Sequence, residues 1–113
     1  MVEKKLYSLP ELPYAGNALE PFISEAQLKI HHDKHHAAYV NGANAILERL
    51  EKARQAGIDV DMKATLKELS FQAGGHVLHS LFWRNLAPAA KAAKEPAGLL
   101  ADVLKNEFGS FER

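Results

Sequence analysis

From Ser24 to Gly57 the chain contains no proline, and its only interior glycine is Gly42. Ser24-Glu25-Ala26-Gln27 opens the stretch with the form of a capping box, serine followed three residues later by glutamine. Such a run is predicted to be one helix with no clear stop before Gly57. That is long for a globular helix, and it fits one arm of a helical hairpin better than a compact bundle helix. Three-and-four spacing gives an expected inward face of Leu28, His31, His35, Ala38 with Tyr39, Gly42, Ala45 with Ile46, Leu50 and Ala53. The small Gly42 and Ala45 would let a second helix approach closely.

The flanking segments complete a hairpin. Leu6 to Pro21 carries Pro10, Pro13, Gly16 and Pro21 and reads as an extended arm, because each proline fixes φ and removes an amide donor. Its Leu6, Tyr7, Leu9, Leu12, Tyr14 and Leu19 are too apolar for a free tail. Gly57 to Asp61 is the turn, with Asp59 and Asp61 as candidate N-caps. A second helix follows, with Leu66, Leu69, Ala73, Val77, Ser80 or Leu81, and Leu86 near one face. Gly74-Gly75 signals either close approach by a bulky group or a break between two shorter helices. After Pro88 and the small-residue linker Ala89 to Pro96, Leu99, Leu100, Val103, Leu104 and Phe108 form a third helical face that ends at Gly109. Ser110 to Arg113 has the look of an N-cap and first turn of another helix.

Composition narrows the chemistry. The 113 residues suit one domain, and 47% hydrophobic with 25% charged residues is ordinary globular usage. Net charge is zero, so no basic excess points to nucleic acid or to a membrane surface. No apolar stretch is long enough to cross a membrane, and the first residues show no signal-peptide core, so a cytoplasmic location is expected. There is no cysteine, which excludes iron–sulfur and zinc-ribbon sites. Nitrogen and oxygen ligands remain, suited to manganese, non-haem iron, zinc or copper.

Four of the six histidines fall in His31-His32-Asp33-Lys34-His35-His36, and His76 and His79 sit together downstream. Neutral imidazole offers a nitrogen lone pair near physiological pH. His31 and His35 share one helix face and His32 and His36 another, so one pair faces inward. Alignment with Leu28, Ala38 and Tyr39 favours His31 and His35, which leaves His32 and His36 on the flank. A site between two helices using His31 and His79, with His35 and His76 nearby, is geometrically reasonable. Trp83, Phe82 and Phe71 read first as core residues. So does Tyr39, although one turn after His35 it is placed to reach a shared site.

These residues closely resemble the N-terminal half of the iron/manganese superoxide dismutases. The matching segments are Leu9-Pro10-Glu11-Leu12-Pro13-Tyr14 with Ala18-Leu19-Glu20-Pro21, then His31-His32-x-Lys34-His35-His36-Ala37-Ala38-Tyr39-Val40-Asn41. Gly74-Gly75-His76-x-x-His79-Ser80-x-Phe82-Trp83-x-Asn85-Leu86, Glu95-Pro96 and Phe108-Gly109-Ser110-Phe111 follow in order. The resemblance implies that His31 and His79 are metal ligands. It implies that His35 and Tyr39 form a gateway for anion entry and proton delivery, and that Trp83 is an aromatic wall of the metal cavity. Gly75 stands where iron-type members often carry glutamine, a manganese-like pattern that some iron members share.

The resemblance also implies a further α/β domain supplying an aspartate and a third histidine, which would be absent from this chain. The expectation is therefore an all-α domain over residues 1–113, a long antiparallel helical hairpin preceded by an extended proline-rich arm, with a short third helix. Its function would be that of a manganese- or iron-binding half of a superoxide dismutase, incomplete alone, with superoxide anion as substrate. Its partner would be the missing C-terminal domain or a second copy in a homo-oligomer. The alternative is a self-associating helical-bundle scaffold whose histidines bind metal without dismutase activity.

Overall fold

The computed structural model describes residues 5–112. Its elements are α1 (Glu25–Ile30), a π-helical turn (His31–His36), α2 (Ala37–Ala56), α3 (Met62–Arg84) and α4 (Gly98–Phe108). No strand occurs among the described residues, and the architecture is the expected all-α hairpin. The arm is irregular up to Ala15 and winds through turns over residues 16–22.

The helix ends follow local chemistry. Ser24 Oγ accepts the Gln27 N–H at 3.2 Å, and Asp61 Oδ1 accepts the Ala64 N–H at 3.0 Å. At the hairpin tip Gly57 takes the left-handed region at φ 64°. The Ile58 N–H then reaches the Ala53 carbonyl at 2.9 Å, closing the orphan carbonyls of α2 in a Schellman arrangement. Beyond Gly109, Phe111 and Glu112 form a turn and not the first turn of a helix; Arg113 lies outside the described residues.

The π turn corrects the expected inward face. Residues four apart on an α-helix drift by about 40° at each step, since each residue turns about 100°. The i→i+5 turn is wider, as the Ala37 N–H bonded to the His32 carbonyl shows, and it cancels that drift. Leu28, His32, His36 and Val40 therefore stay on one buried line that continues to Ala43 and Ile46. His31, His35 and Tyr39 occupy the neighbouring line. There His31 and Tyr39 are half-buried, while His35, Ala38 and Ala45 are exposed. The buried histidine pair is thus His32 and His36, not His31 and His35.

The arm folds back over this buried line. Leu19, Leu28 and Trp83 form a small core, with Leu12, Tyr14, Ile23 and Leu86 packed around it. The Tyr14 hydroxyl donates to the Trp83 carbonyl at 3.0 Å. Asn44 clamps the arm by accepting the Tyr7 N–H at 3.0 Å and donating to the Tyr7 carbonyl at 2.8 Å.

The seam between α2 and α3 depends on two glycines. A Cβ on Gly75 would lie 2.3 Å from Tyr39 Cδ1, and one on Gly42 would lie 2.6 Å from the Gln72 side chain. The Gly74-Gly75 pair thus marks close approach by Tyr39, and α3 runs through it unbroken. Arg49 and Glu68 pair across the seam at 2.9 Å. Thr65 and Trp83 are the buried residues of α3, whereas Leu66, Val77 and Leu81 of the expected face are exposed. This helix carries apolar side chains on more than one side, so a single neighbour cannot cover them all.

Much apolar surface is consequently open. The accessible area is 8901 Å², against roughly 6200 Å² for a folded monomer of this mass. The radius of gyration is 19.4 Å, where a compact chain of this length has about 13 Å. Among the described residues α4 packs against no other helix, and its Leu99, Leu100, Val103 and Phe108 are exposed. No helix among them is long and apolar enough to cross a membrane.

Candidate metal centre

Where the π turn faces the middle of α3, His31 and His79 meet edge to face with ring centroids 4.9 Å apart. Two imidazoles on one ion, each with a metal–nitrogen bond of about 2.1 Å and an angle near 100° between them, place their centroids about 5 Å apart. The observed spacing fits a shared cation.

The tautomer of His79 fits as well. Its Nδ1 donates to the Gly75 carbonyl at 2.7 Å, one turn back on α3, leaving Nε2 as the nitrogen with a lone pair. Neither Nε2 of His79 nor either ring nitrogen of His31 makes a hydrogen bond among the described residues. The His31 imidazolium is disfavoured, first by burial and then by charge repulsion from His79 and His35. A neutral ring is the form that can ligate.

The other expected site residues lie around this pair. The Tyr39 ring lies tilted against His79 with centroids 5.1 Å apart and meets Phe71 edge to face at 5.7 Å. It reaches His79 because Gly75 leaves room for its ring. His35 is exposed and lies 5.9 Å from His31. Trp83 is buried and presses its ring against His31 at 4.9 Å. Phe82, read first as core, is exposed on the same side and lies 5.4 Å from His31. The open face of the pair is thus rimmed by aromatic and imidazole rings.

The donor set is short. Among the described residues no group of three or more histidine or acidic side chains is placed to hold a metal ion. Two neutral imidazoles supply no charge to balance a divalent or trivalent cation. Manganese and iron favour mixed nitrogen and carboxylate ligands, so the pair fits as part of a sphere and not as the whole of one.

His32 and His36, expected on the flank, and His76, expected near the pair, instead hold the structure around it. His32 Nε2 lies 2.6 Å from the Pro10 carbonyl and its Nδ1 lies 2.7 Å from Asp33 Oδ1. His36 is fully buried between Trp83 and His76, with hydrogen bonds of 2.9 Å and 2.8 Å. Burial, then the neighbouring His76, His79 and His32, pushes the His36 imidazole down to about 4. Spacing did not single out this buried line, because His31, His35 and Tyr39 repeat at the same interval of four.

Comparison with known proteins agrees with this architecture. Residues 6–87 match the family described as iron/manganese superoxide dismutases, alpha-hairpin domain. An iron superoxide dismutase of Methanothermobacter marburgensis is 59% identical over 112 residues, covering 99% of this chain and 55% of that protein. A manganese/iron superoxide dismutase of Aeropyrum pernix is 48% identical over 113 residues, covering 100% of this chain and 53% of its own length. A manganese superoxide dismutase of Nocardia asteroides is 49% identical over 107 residues, covering 95% and 51%. The chain spans about half the length of the curated relatives it matches. Through its helical hairpin and its two histidine motifs, this chain belongs to the iron/manganese superoxide dismutases.

Proposed function

We propose that His31 and His79 hold manganese or iron in a site that disproportionates superoxide, and that this chain contributes the helical-hairpin half of that site. The observation that carries the reading is the edge-to-face pair at 4.9 Å with His79 Nδ1 engaged by the Gly75 carbonyl. Relatives named for iron, for manganese/iron and for manganese support either metal. When bound, such a metal supplies one-electron oxidation and reduction, so that two superoxide anions and two protons become one dioxygen and one hydrogen peroxide.

This chain's residues hold, orient and deliver. The Gly75 carbonyl fixes the ring of His79, and the Trp83 ring backs His31 on its buried side. Tyr39, against His79, is placed to pass a proton from its hydroxyl toward the pair, with the exposed His35 as the group that exchanges protons with solvent. Lys34 is exposed on the same turn and would steer an approaching anion. The remaining ligands, including the anionic one, come from an α/β domain of the kind the resemblance implies, or from a second copy of this chain. In this reading the protein works in the cytoplasm and has neither nucleic acid nor membrane as a partner.

The test is superoxide decay followed by pulse radiolysis, with the chain alone and with the second half of a relative added. Activity in the mixture that disappears with His79→Ala is expected; activity unaffected by that substitution would overturn the assignment. The exposed apolar surface of α3 and α4 favours one further reading, a self-associating scaffold whose histidines take up metal without turnover. Native mass spectrometry decides between them. A defined oligomer that keeps its size and metal content in His31→Ala would favour the scaffold.

A further inference from the structure

Beside the candidate ligands runs a buried chain of hydrogen bonds with only one possible direction. The Trp83 indole N–H can only donate, and it points at His36 Nδ1 at 2.9 Å. That nitrogen is therefore bare, and the ring carries its proton on Nε2. Nε2 then donates to His76 Nδ1 at 2.8 Å, which is bare in turn. His36 has no accessible surface, so water cannot stand in for either partner. Buried side-chain polar atoms without a partner are absent among the described residues.

The position of this chain matters more than its existence. Trp83 follows His79 by four residues and His76 precedes it by three, so both lie on its side of α3 and bracket it. His36 follows His31 by five, one π turn along. The two hydrogen bonds thus cross from the helix that carries one candidate ligand to the helix that carries the other, at the level of the pair. Sliding α3 by one residue would move it about 1.5 Å and turn it about 100°, which breaks both bonds and leaves an indole N–H buried without an acceptor.

We propose that Trp83, His36 and His76 form a directional latch that fixes the register of α3 against the π turn and thereby sets the spacing of His31 and His79. The importance of that spacing rests on the ligand reading above; the latch itself does not. All three are positioning residues, acting through the pair and not on the substrate.

The experiment uses the 15N-labelled 113-residue chain without metal, then with added MnCl2. Long-range imidazole spectra are expected to show His36 in the Nε2–H tautomer, with cross-relaxation between the His31 and His79 rings. Trp83→Phe keeps an aromatic ring and deletes the donor. It should weaken the His31–His79 cross-peak and lower Mn(II) affinity about tenfold or more, with helix content unchanged. His76→Phe removes the acceptor at the other end and should act in the same direction, which keeps the test open if Trp83→Phe does not fold. An Nδ1–H tautomer at His36, or an unchanged ring pair in the folded variants, would overturn the latch. A chain that shows the tautomer and the cross-peak, but whose His31 and His79 signals Mn(II) leaves unbroadened even with the second half of a relative added, would overturn the ligand reading and leave the latch standing.

Discussion

Two lines of side chains one residue apart on the same helix meet opposite fates. Leu28, His32, His36 and Val40 are buried, the first three against Trp83. On the other line His31 and Tyr39 stay half-open and His35 is exposed. Each line contains two histidines, so residue type cannot explain the difference; what each line faces does. The buried pair has its ring nitrogens taken by Pro10, Asp33, Trp83 and His76. On the open line the nitrogens of His31 are free among the described residues, as is Nε2 of His79 across from it. Histidines whose nitrogens are all bonded hold the fold, and those with a lone pair left over are the ones available for chemistry.

The sharpest way to break this comparison is to truncate one histidine from each line. His36→Ala leaves a cavity and orphans the indole N–H of Trp83, and it is expected to cost about 3 kcal/mol. His35→Ala removes an exposed ring and should stay within about 0.5 kcal/mol. Urea unfolding of the two variants measures the contrast, and equal losses would erase it.

Gly75→Ala attacks the open line through its packing. The new Cβ would lie 2.3 Å from Tyr39 Cδ1, a severe overlap, so Tyr39 must leave its place against His79. A loss of about 1–3 kcal/mol is expected, together with disappearance of the Tyr39–His79 ring contact in nuclear Overhauser spectra. Retention of that contact would show that the seam can open without moving the tyrosine.

Acid should reveal the buried line more gently. His36 stays neutral down to about 4 in the folded chain, against the usual 6.5 in the unfolded one. Between those values the unfolded chain binds a proton that the folded chain refuses. The contribution of His36 is therefore intact above about pH 6.5 and is lost progressively as pH falls toward 4. Urea midpoints of the metal-free chain should decline over that window, and the decline should flatten in His36→Gln. An unchanged slope would mean that His36 does not control it.

How much of this was legible in the sequence differs along the chain. The caps at Ser24 and Asp61 and the stop at Gly57 were readable, because each depends on chemistry within a few residues. The choice between the two histidine lines was not. Periodicity on an ideal helix ran the inward face through His31, His35 and Ala38, but the π turn keeps a spacing of four on one line, and nothing local announces that turn. The glycine pair in α3 left a break and a close approach equally open. Only the position of Tyr39 across the seam decides for the approach. The expected face of α3 failed for another reason. Leu66, Val77 and Leu81 are apolar for a surface that the hairpin does not itself provide.

The central claim is that His31 and His79, and not the buried pair, are the histidines that take a metal. Adding MnCl2 in small steps to the 15N-labelled chain and following the imidazole signals tests it most directly, because Mn(II) broadens nearby nuclei even when it binds weakly. Broadening that begins at His31 and His79 and vanishes in His79→Ala is the predicted result. Broadening centred on His32 and His36, or unaffected by His79→Ala, would contradict the account.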